Sequence, residues 1–257
     1  FYDGGGAQPT NAAQAISGAA VVITMLPTGA AVRGVLLEDA CLAAIQTQRP
    51  LLIDMSSSAP ADTLALWNIL EPSGICLIDA PVSGGVVRAQ SGALAIMAGG
   101  DAETLDRLAT VLDAMGTSLI HCGPLGAGHA MKALNNYVSA AGLVPAIEAV
   151  RVAERFGIDP ERAVDVLNAS TGSNNSTQNK IKQFVLNGRY NSGFSIGLMA
   201  KDLATSAELA SSLAVPFPQI LRYSTLWSDA ANHLGSAQDH TAMDVYLRDT
   251  LATEEAR

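Results

Sequence analysis

The hydrophobic pattern of the chain changes period near its middle. Over residues 20–122 short apolar runs recur: AVVITM (20–25), LLIDM (51–55), ICLIDA (75–80), ALAIMA (93–98) and SLIHC (118–122). Several are rich in Val and Ile and none alternates cleanly with polar residues, the pattern of strands buried on both faces. Between them, residues 30–47, 60–70 and 101–115 carry apolar positions at helical spacing. The last of these opens on Asp101, a good N-cap, has Glu103 in its first turn and stops at Gly116. Strand and helix in alternation predict a parallel α/β sheet with crossover connections.

Beyond Gly128 the strand signals nearly vanish. Residues 127–157 predict one long helix that ends at Gly157, before a new start at Asp159-Pro160. Pro145 removes one backbone donor inside it, so a kink is expected there. Helical spacing returns at 160–169, 177–187, 198–213, 217–233 and 239–252, with STGSNNS (170–176) and NGRYNSGF (187–194) as polar loops. The expected organisation is an α/β domain over residues 1–124 and an all-helical domain over 125–257 that begins with the long helix.

Composition narrows the class. Apolar residues make up 49% of the 257 and charged residues 15%, yet no run is long enough to suggest a membrane span, so a soluble globular protein is expected. A net charge of −9 lacks the clustered Lys and Arg that nucleic acid requires. Cys41, Cys76 and Cys122 are widely spaced in apolar surroundings and read as core residues, which fits a reducing cytoplasm. Nothing in the first thirty residues resembles a signal peptide, and a start at Phe1 without methionine is expected to be a truncation or a gap.

The chain has four lysines, and one of them, Lys132, lies in the first turns of the long apolar helix within GPLGAGHAMKALNN (123–136). Asn136 is four residues on and therefore shares its face. The plain alternative is a lysine whose stem snorkels out of an apolar helix. Against it stand the small and apolar flanks, the glycine-rich entry through Gly123, Gly126 and Gly128, and a position where the two domains are expected to meet, since small-molecule sites favour such places. An ammonium partly withdrawn from water has a lowered pKa and can exchange a proton near neutrality.

A second constellation is IDAPVSGG (78–85), where an apolar strand ends in a loop. Parallel sheets bind ligands beyond the carboxyl ends of their strands. Ser83 offers a hydroxyl, while Gly84 and Gly85 allow close backbone approach to an anion such as a carboxylate; an ordinary turn is the alternative.

DAPVSGG, then GALAIMAGG, then GPLGAGHAMKALNN, then GFSIGLMAKDL (193–203), in that order and spacing, resemble the β-hydroxyacid dehydrogenases, specifically their 3-hydroxyisobutyrate dehydrogenase-like branch. The resemblance runs from about residue 7 to the last helix. It implies a Rossmann-type domain followed by an all-helical one, NAD or NADP as cofactor, and hydride transfer to or from a small 3-hydroxy acid or its semialdehyde. By the same resemblance Lys132 is the catalytic lysine and Asn136 its partner, while Ser83, Gly84 and Gly85 hold the substrate carboxylate. Leu26 and Pro27 of TMLP and Ser57 of DMSSS lie beside the cofactor; Lys201 and Asp202 of KDL close over it, with Phe194 as apolar neighbour. The bland readings are a strand end for Leu26 and Pro27, a helix cap for Ser57 and a solvated charge for Lys201.

The phosphogluconate enzymes usually have histidine where this chain has Asn135, tartronate semialdehyde reductases tend to have glutamine at Asn136, and imine reductases generally lack the lysine, so the resemblance sets these branches aside. The chain departs from the family at its front, where a strand and a GxGxxG turn are expected. Gly4, Gly5 and Gly6 do not replace that turn, and Asp3 is a disfavoured candidate for the ribose-binding acid, so the first βαβ unit is expected to lie outside this sequence.

Among the other candidates, His129 is expected to face solvent at the helix start, and Arg88 to be a solvated loop charge. His121, His233 and His240 are too scattered for a metal site. The apolar richness of 198–233 predicts a homodimer or homotetramer. A non-catalytic scaffold of the same fold is the competing class.

Overall fold

A computed structural model of the chain describes residue 6 and residues 9–255. Asp3, Gly4 and Gly5 therefore lie outside the described residues. The chain divides into two compact units, Phe1–Lys132 and Ala133–Arg257.

In the first unit the elements run α1 (Ala12–Ile16), β1 (Val21–Thr24), α2 (Gly29–Leu36), α3 (Asp39–Gln48), β2 (Leu51–Asp54), α4 (Pro60–Leu70), β3 (Leu77–Asp79), β4 (Val82–Ser83), α5 (Gly85–Gln90), β5 (Leu94–Gly99), α6 (Ala102–Asp113) and β6 (Gly116–Gly123). The strand order is β1-β2-β3-β5-β4, with β6 paired to β5. Strands β1, β2 and β3 are mutually parallel, as the strand–helix alternation predicts. The expectation of a wholly parallel sheet fails at β5, which runs antiparallel to both β3 and β4. The reason is the connection: only the short α5 separates β4 from β5, too little chain for a parallel crossover. Strands β3 and β4 are one nearly continuous strand interrupted at Ala80-Pro81, where Pro81 has no N–H for the ladder although its carbonyl still accepts from Met97 N at 3.0 Å.

Alternate residues of the inner strands feed two cores. Leu52 and Leu77 pack with Val32, Leu36, Ile45 and Leu66 of α2–α4. Ile53 and Ile78 pack with Leu105, Leu108 and Leu112 of α6. This explains the unbroken apolar runs in the sequence. The helix expected over 30–47 breaks at Leu37-Glu38 into α2 and α3. Asp101 caps α6, accepting from Thr104 N at 2.8 Å.

The long helix α7 (Ala127–Phe156) continues through Pro145. It is followed in the second unit by α8 (Pro160–Ala169), α9 (Asn175–Asn179), α10 (Ile196–Ser212), α11 (Pro218–Leu234) and α12 (Met243–Glu255). Leu143, Ile147 and Val150 of α7 pack with Leu203 of α10 and Trp227 of α11 in one core. The helix expected over 177–187 is instead α9 followed by a π turn at Ile181–Val185, with Lys180 at the break (φ −127°). A wide turn of this kind is uncommon and is found preferentially at functional sites. Among the described residues no helix is long and apolar enough to cross a membrane.

Candidate active site

Strands β1, β2 and β3 end in register at Thr24, Asp54 and Asp79, all buried. A buried carboxylate needs donors, and each Asp has them. Asp54 accepts from Thr24 Oγ1 at 2.8 Å, Ser56 N at 3.0 Å and Ser58 Oγ at 2.8 Å. Ser56 Oγ in turn accepts from Leu26 N at 2.9 Å, tying the turn after β2 to the segment after β1. Leu26 and Ser57 are thereby set half-buried along the strand ends, with Pro27 exposed. Ser57 does not cap α4, whose N-cap is Ala59 and makes no side-chain cap bond.

Asp79 organises the start of α7. Its Oδ1 accepts from Gly126 N and its Oδ2 from His129 N, each at 2.7 Å. These amides have no partner within the helix, and a carboxylate there also complements the helix dipole. The approach is close: a methyl on Gly128 would come within 2.3 Å of the Met97 carbonyl oxygen and 2.9 Å of Asp79 Oδ2.

His129 does not face solvent as expected; it is 1% exposed. Its Nδ1 is 2.7 Å from Thr63 Oγ1 and its Nε2 is 3.1 Å from the Ser56 carbonyl. A carbonyl only accepts, so Nε2 carries a proton. The imidazole thus ties the first turn of α7 to α4 and to the turn that carries Ser57. Small neighbours in the sequence gave no sign that three segments converge on it. For Asp54 and Asp79 the signal in the sequence is the repeated ending LLID and CLID, an acid closing an apolar strand.

Lys132 lies one turn further along α7. Its Nζ donates to the Val82 carbonyl at 2.8 Å, which brings the lysine to the Ser83-Gly84-Gly85 loop. Gly84 (φ +136°) and Gly85 (φ +63°) hold backbone angles that side-chain-bearing residues rarely adopt. Both are exposed and Ser83 is half-buried, so the loop offers a hydroxyl and backbone amides to an anion.

In the second unit, Asn136 is buried and donates from Nδ2 to Asp202 Oδ2 at 2.5 Å. Asn135 Nδ2 donates to Asn136 Oδ1 at 3.3 Å. Lys201 Nζ is 3.1 Å from Asp202 Oδ1, so the two oxygens of this carboxylate face the lysine and the asparagine. Phe194, two residues ahead of α10, packs its ring edge-on against His240, at 5.8 Å between centroids, and against the helical core.

Two family models match the chain. One, described as the NAD binding domain of 6-phosphogluconate dehydrogenase, matches residues 2–123. The other, described as NAD-binding of NADP-dependent 3-hydroxyisobutyrate dehydrogenase, matches residues 126–247. A probable 3-hydroxyisobutyrate dehydrogenase of Mycobacterium tuberculosis is 35% identical over 241 residues, covering 91% of this chain and 79% of the relative. A 3-sulfolactaldehyde reductase of Escherichia coli is 32% identical, covering 95% and 82%. Among solved structures, Mycobacterium tuberculosis 3-hydroxyisobutyrate dehydrogenase with L-serine superposes at a TM-score of 0.83 with 32% identity, covering 93% of this chain and 83% of that one.

Proposed function

Since the chain belongs to the β-hydroxyacid dehydrogenase family and is an NAD(P)-dependent hydroxyacid oxidoreductase, we propose that it interconverts a small 3-hydroxy acid and its semialdehyde with Lys132 as general acid/base. The observation that carries this reading is the 2.8 Å bond from Lys132 Nζ to the Val82 carbonyl, next to Ser83-Gly84-Gly85 and one helical turn from Asn136. A proton-exchanging amine and an anion-holding loop are what a hydroxy acid needs at its two ends.

The Ser83 hydroxyl and the Gly84 and Gly85 amides grip the substrate carboxylate. In the oxidative direction the Lys132 amine accepts the hydroxyl proton as the carbon gives up hydride; in the reductive direction the ammonium returns it to the carbonyl oxygen. Asn136, held by Asp202, orients the lysine or the reacting oxygen. Bound NAD or NADP supplies the hydride acceptor or donor. Leu26 and Pro27 at the strand ends, Ser57 after β2 and Lys201 of α10 would hold it.

We place the functional domain boundary ahead of α7, at residues 124–125, so that one helix carries Lys132 and Asn136 together. A cytoplasmic homodimer or homotetramer completes the reading. Exposed Leu213, Phe217 and Leu221 on and beside α10 and α11 support self-association.

The test is turnover of 3-hydroxyisobutyrate, glycerate, 4-hydroxybutyrate, threonate and L-serine, each with NAD and with NADP. Turnover of at least one 3-hydroxy acid is expected. Nucleotide binding without turnover of any member in either direction favours a non-catalytic scaffold.

A further inference from the structure

The segment between α8 and the π turn is fastened to α7 just beyond Asn136. Asn174 Nδ2 donates to the Gly142 carbonyl at 3.3 Å, and Ser176 Oγ to the Ser139 carbonyl at 3.5 Å. Lys180, at the break between α9 and the π turn, donates from Nζ to Ser139 Oγ at 3.0 Å. Ser139 follows Asn136 by three residues and Lys132 by seven, so the three share one face of α7.

Lys180 is half-buried, and among the described residues no carboxylate lies within 4 Å of its ammonium. Asp239 acts on it through space, but the Asp239 oxygens accept from Ser192 Oγ, Gly193 N and Thr241 N and Oγ1. The contrast is Lys182, two residues on, which pairs with Asp165 at 2.6 Å at the surface. Burial pulls the Lys180 amine down to about 8. A desolvated cation held by a neutral hydroxyl has lost hydration without gaining an ion pair, and an arriving anion would restore that balance.

We propose that Lys180 is a specificity-determining residue that holds a second acid group of the substrate, so that the preferred class is a 3-hydroxy acid bearing a distal carboxylate or sulfonate. The inference rests on the reaction proposed above. Ser139 lies about 4.5 Å along the helix from Asn136, a span that one or two methylenes between the α-carbon and the second acid group would cover.

The experiment compares 3-hydroxyisobutyrate with 2-(hydroxymethyl)glutarate and its distal sulfonate counterpart, in the wild type, Lys180→Met and Lys180→Arg. Calorimetric binding of each acid to the NAD(P)-loaded proteins runs in parallel. The wild type should favour the two-acid substrates at least tenfold in kcat/KM. Lys180→Met should remove that preference through KM, with less than a twofold change for 3-hydroxyisobutyrate, and Lys180→Arg should keep most of it. Preference for one distal acid group over the other identifies which of the two the subsite takes.

An equal loss for all three acids in Lys180→Met means a purely structural tie and overturns the inference, as does a wild type indifferent to the second acid group. Lys180-dependent binding of the two-acid ligands without any turnover would keep the subsite and remove the reaction reading instead. Absence of both binding and turnover removes both.

Discussion

Asn136 donates its side-chain amide to Asp202 at 2.5 Å, and the same carboxylate is within 3.1 Å of Lys201. A carboxylate only accepts, so this contact fixes which end of the Asn136 amide is the donor and leaves Oδ1 for other partners. Asp202 thereby holds the Asn136 side chain, in addition to the place beside the cofactor that the family resemblance implies.

Asp202→Asn would let the Asn136 amide adopt either orientation. The expected result is a fall in kcat of roughly ten- to a hundredfold from misplacement, with the fluorescence-measured Kd for NADH or NADPH changed less than threefold. Lys201→Met should do the reverse, weakening the nucleotide more than it lowers kcat.

Gly128→Ala tests the close approach of α7 to β5. The added methyl meets backbone, the Met97 carbonyl oxygen at 2.3 Å, so the helix start must move. Destabilisation of about 3 kcal/mol is expected, read by urea unfolding, together with a loss of turnover because Lys132 is one turn further on.

The pattern of hydrophobic positions revealed most of the frame because burial dictates it. The five apolar runs became strands, and Pro160–Ala169 begins and ends where its Asp159-Pro160 start and helical spacing indicate. What stayed hidden depends on partners far along the chain. The reversal of β5 follows from the brevity of α5, and the burial of His129 follows from Thr63 and Ser56, more than sixty residues away in sequence. Lys132 and the Ser83-Gly84-Gly85 loop were legible as separate motifs. Their joining through the Val82 carbonyl was not, because a side chain to backbone bond across fifty residues leaves no local signature.

His240 gives the fold a pH dependence. It is 3% exposed, and burial pulls its imidazole from an ordinary value of 6.5 down to about 4. Between those values the unfolded chain binds the proton and the folded one does not, so stability rises with pH through this window and is lost as pH falls from about 6.5 to 4. The full loss is about 3 kcal/mol. His240→Asn, which keeps a donor near Nδ1 without the titration, should flatten the slope of unfolding free energy against pH in that range relative to wild type. An unchanged slope would assign the dependence to other groups.

The central claim is that the Lys132 amine exchanges the substrate proton, and the most direct measurement is kcat of Lys132→Ala on the best substrate, with cofactor Kd measured alongside. The account predicts a fall of about two to four orders of magnitude with nucleotide binding nearly unaltered. Turnover close to wild type in that variant would contradict it.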